Sequence, residues 1–141
     1  MNSNQSSAIA VRELGRALVL DLRGDLTKEQ ESPLLGMRSW EEGLGGDKEH
    51  LILNLTDVTY INSSGIAILI RLVRWGAKGG YRTSAFGVTP HYQKLFRMVG
   101  LTETMLIYPN EYSALRSAEG AQELESTPEL RAKRSGRGGF E

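Results

Sequence analysis

Between residues 50 and 77 the chain changes its hydrophobic period, and few folds accommodate that change. Residues 50–55 read HLILNL, a nearly continuous apolar run of strand length. A run of this kind has both faces covered, as strands of a parallel sheet do. From Asn62 onward the apolar residues recur three and four apart, at Ile66, Leu69, Ile70 and Val73, while Ile68, Leu72 and Trp75 widen the stripe. That spacing predicts a helix over 62–77 buried on more than one side. A covered strand feeding a covered helix is the repeating part of an α/β sheet, and the same pattern returns further along the chain.

Residues 8–14 and 16–23 are strand candidates. The second alternates, with Ala17, Val19, Asp21 and Arg23 on one side and Leu18, Leu20 and Leu22 on the other. Gly15 supplies a hairpin turn, being free to take positive φ. Gly24-Asp25 is expected to end the second strand, and Thr27 to cap the segment after it. A helix is expected over 32–44, with Pro33 at its first position and Leu34, Met37, Trp40 and Leu44 on one face, stopped by Gly45-Gly46-Asp47. Gly76 and the pair Gly79-Gly80 end the helix begun at Asn62, and residues 81–88 form the next strand. Thr89 and Pro90 open another helix, carrying Leu95, Phe96 and Val99 and stopped by Gly100. Residues 105–108 give a short last strand and 111–118 a closing helix. The resulting order predicts an α/β domain: a mixed, mostly parallel sheet with helices packed on it, preceded by an N-terminal β-hairpin.

A chain of 141 residues has room for one domain and a tail. The expected division is a flexible N-terminus over 1–7, the domain over 8–118, and a disordered C-terminal tail over 119–141, which has too few apolar residues to offset the entropy of ordering. The tail's Arg131, Lys133, Arg134 and Arg137 read as a solvated end, the alternative being contact with nucleic acid or an acidic protein. Lysine plus arginine and aspartate plus glutamate both number 17, which argues against wholesale binding to nucleic acid or anionic membrane. The absence of cysteine excludes disulfides, thiolate catalysis and cysteine-ligated metals. The polar N-terminus does not read as a signal peptide, and the apolar stretch near 66–70 is far too short to span a bilayer, so the expected location is the cytoplasm.

Enzyme chemistry has little to work with. Serine catalysis needs a base within hydrogen-bond reach, and the two histidines, His50 and His91, lie in no recognisable motif. Gly79-Gly80 lacks the strand-to-helix setting of a phosphate loop, and no pair of ligand side chains falls at metal spacing on one helix. The expectation is a non-enzymatic protein without cofactor or metal. Asn62-Ser63-Ser64-Gly65 is the exception in interest. The plainer reading is a cap, with Asn62 or Ser63 accepting from a free amide. The other is chemical: unpaired N–H groups and the positive end of the helix dipole would stabilise a phosphate carried on Ser63. Gly65 would then keep the first turn open to a partner. Arg71 and Arg74 on the same helix could meet an acidic partner or form a solvated face. Trp40 and Trp75 read as packing residues.

The run LILNLTDVTYINSSGIAILIRLVRWGAKGG, then YRTSAFGVTPHYQKLFRMVGL and finally IYPNEYSAL, resembles the STAS domain. This family includes the anti-sigma factor antagonists of bacterial partner-switching systems and the cytoplasmic domains of anion transporters. The resemblance covers about residues 8–118 and rests on three parts together: the aliphatic strand leading to the serine knot, the helix ending in paired glycine, and the segment from Pro90 to Leu101. It implies an antagonist that captures a GHKL-type serine-kinase anti-sigma factor and frees the sigma factor. It also implies phosphorylation at Ser63 by that kinase, release of the partner, and resetting by a phosphatase. The partner surface would comprise Asp25, Thr27, Asn62, Ser63, Ser64, Gly65 and Arg71. The alternative is a STAS scaffold subunit of a signalling or lipid- or anion-transport assembly, never phosphorylated. Two positions depart from the family pattern: Asn62 stands where aspartate is usual, and Gly24-Asp25-Leu26-Thr27 replaces G-E-L-D. Both changes remove negative charge near the serine.

Overall fold

The alternation across residues 17–23 becomes the second strand of a five-stranded sheet, in a computed structural model that describes residues 7–126, with side chains described as far as Glu119. The elements are β1 (Ala8–Leu14), β2 (Ala17–Leu26), α1 (Glu31–Leu35), β3 (His50–Ile61), α2 (Ser63–Gly79), β4 (Arg82–Phe86), α3 (Pro90–Met98), β5 (Met105–Tyr108) and α4 (Glu111–Ser126). The sheet order follows the chain, β1-β2-β3-β4-β5. β1 pairs antiparallel with β2 across the Gly15 turn (φ 57°), and the remaining pairs are parallel. The α/β architecture with an opening hairpin is therefore as the sequence predicts.

Each face of β2 has its own core. Leu18, Leu20 and Leu22 join Leu51, Leu53 and Leu55 of β3 beneath Leu34, Leu69, Leu72 and Phe96 from α1, α2 and α3. Ala17 and Val19, with Ile52 and Phe86, lie under Ala114 of α4 on the other face. Sequential parallel strands joined by right-handed crossovers place α2 and α3 on one side of the sheet. α4 follows the last strand and covers the opposite side.

Several boundaries differ from expectation. β2 does not stop at Gly24-Asp25: it continues to Leu26 through register shifts against β3, with Gly24 at φ 92°. Glycine here relieves a bulge instead of ending a strand. β3 likewise runs on past Leu55, because its polar residues pair with that extension, Asp25 opposite Tyr60 and Leu26 opposite Ile61. The helix expected over 32–44 is broken. α1 ends at Leu35, Pro33 is its third residue, and a 3₁₀ turn covers Trp40–Glu42. Trp40 explains the break. Its indole N–H donates to the Leu34 carbonyl at 2.9 Å, and its own carbonyl accepts from the Tyr81 hydroxyl at 2.8 Å. A continuous helix would not let the indole reach a carbonyl six residues back. Leu34, Trp40 and Leu44 are buried as expected, whereas Met37 is exposed. β4 is shorter than 81–88 because Gly87 turns the chain at φ 79°.

α4 runs on to Ser126 instead of stopping at Ala118, through residues of good helix propensity such as Ala121, Gln122, Glu123 and Leu124. The start of the expected tail at residue 119 is thus helical. Its remainder, residues 127–141, and all but Ser7 of the expected flexible N-terminus lie outside the described residues.

Candidate functional site

β2 and β3 finish side by side, and the chain turns into α2 directly from that end. Asn62 has extended backbone (φ −102°, ψ −173°), which points its side chain back over the first helical turn. Its Oδ1 accepts from the Gly65 amide at 3.0 Å, and its carbonyl accepts from the Ile66 amide at 2.9 Å. Of the two capping candidates, the structure uses Asn62. The preceding residues are fixed from both flanks: the Asn62 amide donates to the Leu26 carbonyl at 3.4 Å, and the Ile61 amide donates to the Tyr92 hydroxyl at 3.0 Å.

Gly65 is buried. A Cβ there would collide with the Leu26 carbonyl oxygen and lie 2.9 Å from Ile61 Cγ2. The room left by its missing side chain is occupied by the end of β2 and is not open to a partner. Glycine at this point sets how closely the helix start approaches the sheet.

Ser63 is the first residue of α2 and is exposed, while Ser64 is half-buried. The amides of Ser63 and Ser64 have no carbonyl upstream in the helix to bond, and no acidic residue occupies the first turn. An exposed hydroxyl therefore stands at the positive end of a helix of 17 residues. Asp25 lies across the strand ends from Tyr60, its Oδ1 accepting from the Thr59 hydroxyl at 2.9 Å. Thr27 is engaged in a capping box: its amide donates to Gln30 Oε1 at 2.8 Å, and its Oγ1 accepts from the Glu29 amide at 3.4 Å. The strand ends thus bring Asp25 and Asn62 through Gly65 to one end of the sheet. Arg71 sits two turns along α2, about 12 Å down the axis from Ser63. It is committed to Glu31 at 2.7 Å and to the Trp75 ring at 5.2 Å, tying α2 to α1.

Other ionisable groups serve the scaffold. On the α4 face Arg12 bonds both Asp21 (2.6 Å) and Glu111 (2.7 Å). The Arg12 hydrogen bond, aided by one from Asn54, holds the Asp21 carboxyl below its usual range. The Tyr81 phenol is pushed up to about 12 by burial. His91 is exposed, with its ring 4.9 Å from that of Tyr92, and no group of acidic or histidine side chains among the described residues could hold a metal ion.

Tyr92 is the residue that sequence reasoning passed over. The available signal was its place one turn before the buried Phe96, on the same face of α3. Nothing in the sequence marks Ile61 as its partner.

The family model described as "Mlab, STAS domain" matches residues 9–108. The anti-sigma F factor antagonist of Paenibacillus polymyxa is 28% identical over 102 residues, which span 72% of this chain and 86% of that protein. An anti-sigma factor antagonist from Mycobacterium paratuberculosis has a similar solved structure, with TM-score 0.66 and 18% identity over 83% of this chain and 97% of its own. The antagonist SpoIIAA in its unphosphorylated form gives 0.61 and 22% over 80% and 97% respectively. These two structures share the fold described above.

Proposed function

The chain belongs to the STAS domain family, and from that membership we propose that it acts as an anti-sigma factor antagonist in a bacterial partner-switching relay. The observation that carries the reading is the exposed Ser63 hydroxyl at the first position of α2, beside a cap that satisfies Gly65 and leaves the earlier amides free. The antagonist from Paenibacillus polymyxa, similar along most of its length, supports the same role. The protein is then a binding module and a kinase substrate, not an enzyme, and its place is the cytoplasm. Among the described residues no helix is long and apolar enough to cross a membrane.

In this reading a GHKL-type serine-kinase anti-sigma factor docks over Ser63, Ser64 and the neighbouring Asp25 and Thr27, and transfers phosphate to Ser63. The phosphate adds about −1.5 to −2 charges at the centre of the contact, where the neutral hydroxyl had packed. A penalty of ~3 kcal/mol weakens the complex roughly 150-fold, enough to exchange partners. A phosphatase restores the hydroxyl. Ser63→Ala is expected to keep kinase binding and Ser63→Asp to lose it; equal affinity of the two variants for the kinase would sink the switch. Intact mass after incubation with kinase and ATP is expected to rise by one phosphate in the wild type and Ser64→Ala, but not in Ser63→Ala.

One observation favours a second reading. The cap is Asn62 where the family prefers aspartate, and it caps without adding charge. A scaffold subunit of a signalling or transport assembly would need the cap alone. It would show no mass shift with the kinase and no difference between the Ser63 variants.

A further inference from the structure

α4 outruns the sheet it packs on. Its Ser117 and Ala118 line a cleft together with His50 and Arg82, the first residues of β3 and β4. Ala118 thus stands level with the strand starts, and the eight residues on to Ser126 carry the helix about 12 Å farther. Residues 119–126 read EGAQELES, which is Glu119, Glu123 and Glu125 with Ala121 and Leu124 among them and no basic residue. After Arg116 the next base in the chain is Arg131. This acidic end leads away from the cleft. A Cβ on Gly15, at the turn between β1 and β2, would lie 3.2 Å from Glu119 Oε2, whereas the cleft opens beside β4 and β5. A continuous helix cannot turn back into a cleft that it has already passed.

The cleft has the complementary character. It encloses about 650 Å³ between the end of α2, the turn after α3 and the starts of β4 and β5. Val73, Ala77, Val99, Leu101 and Leu106 give it apolar walls, and Arg74 and Arg82 lie along it. No aspartate or glutamate among the described residues lines it. Both arginines are exposed, and neither has an ion pair among the described residues. At its mouth Leu106, on the edge strand β5, is 60% exposed and Val99 is 46% exposed. One chain therefore carries an acidic helical end and, apart from it, a recess with apolar walls and only basic charge. The continuity of α4 keeps the two from meeting within one molecule. Two molecules related by a two-fold axis satisfy both features at once, and twice over.

We propose that the protein is a homodimer in which residues 119–126 of each α4 enter the cleft of the other copy. Ala121 and Leu124 of one copy lie on Val99, Leu101 and Leu106 of the other, and Glu119, Glu123 and Glu125 face Arg74 and Arg82. The contact is isologous and closed, so assembly stops at two copies. Arg74 lies about 16 Å along α2 from Ser63, so the serine end of that helix stays outside the contact.

Sedimentation equilibrium of the full chain tests this by exchanging charges. The wild type is expected to be a dimer at micromolar concentration, dissociating as salt is raised. Glu123→Lys with Glu125→Lys, and separately Arg74→Glu with Arg82→Glu, each set like charge against like. Each pair of substitutions is expected to weaken the dimer at least about tenfold. Mixed in equal amounts, the two variants are expected to pair with one another, because both contacts of the mixed dimer again join opposite charges. Unchanged far-ultraviolet circular dichroism confirms that each variant is folded. Ser63→Asp is expected to dimerise as the wild type does, so failure of the serine switch and failure of the dimer are told apart. A wild type that is monomeric at every concentration, leaving the cleft to another occupant, overturns the proposal. So do variants that dimerise as the wild type does, or a mixture that stays monomeric.

Discussion

Replacing Tyr92 by phenylalanine removes one oxygen, the acceptor that the Ile61 amide reaches at 3.0 Å. Ile61 is only 5% exposed, and the nearby Leu26 carbonyl already accepts from Asn62. The amide is therefore left without a partner in a site closed to bulk water, at a cost of ~1–3 kcal/mol. The ring itself stays in place, tilted on Phe96 with centroids 6.4 Å apart, so little cavity cost is added. For a domain of this size one kcal/mol moves the melting temperature by roughly 4 °C, giving an expected fall of about 4–12 °C. Circular dichroism melts measure it. Tyr112→Phe is the control: that residue is 67% exposed and its hydroxyl accepts from the exposed Arg116, so its change should stay within about 0.5 kcal/mol. Hydrogen exchange at Ile61 and Asn62 is expected to quicken in Tyr92→Phe. If Tyr92→Phe melts with the wild type and exchange at Ile61 is unchanged, the hydroxyl does not hold the strand end and the reasoning is wrong.

The cap offers a second test by denaturant unfolding. Asn62→Ala leaves the Gly65 amide unsatisfied and is expected to cost ~1 kcal/mol, whereas Asn62→Asp keeps the acceptor and gains ~0.3–1 kcal/mol from the helix dipole. Acid stability gives a third. Because Arg12 holds the Asp21 carboxyl below its unfolded value, that contribution is complete above the unfolded pKa of ~3.9 and is lost as pH falls through the lower folded pKa. Melts from neutral pH to about pH 3 are expected to drop further in wild type than in Asp21→Asn, and parallel curves would contradict the assignment.

Burial is written into a sequence, and burial is only part of a fold. The leucine alternation in β2, the strand-to-helix change at Asn62 and the Thr89-Pro90 start of α3 were legible because one local rule decides each. The segment 32–44 was not. Leu34, Trp40 and Leu44 have helical spacing and are all buried, yet the backbone between them is broken to serve an indole bond and a contact from Tyr81, just before β4. Apolar spacing says which side chains go inward; it does not say which carbonyl a buried indole will find. Gly24 misled for a related reason, since a glycine that relieves a bulge and a glycine that ends a strand look alike in one dimension. At the start of α2 the presence of a side-chain cap was legible, although not which of Asn62 and Ser63 would supply it, and Tyr92 was not legible at all. Its role exists only because α3 crosses the sheet near the end of β3.

That crossing bears on how Ser63 could act. The start of α2 is held by Asn62 to Leu26, by the close approach of Gly65 to the same carbonyl, and by Tyr92 to Ile61. Three contacts from two elements, β2 and α3, thus fix one turn of backbone, and the helix cannot retract toward the sheet, because the Leu26 carbonyl already occupies the space beside Gly65. A phosphate on Ser63 would have to be accommodated outward, where the side chain is exposed. The domain itself would change little, and most of the energetic consequence would fall on whatever covers that surface. A switch built this way needs no second conformation of its own: rigidity at the serine turns a local charge into a difference in affinity.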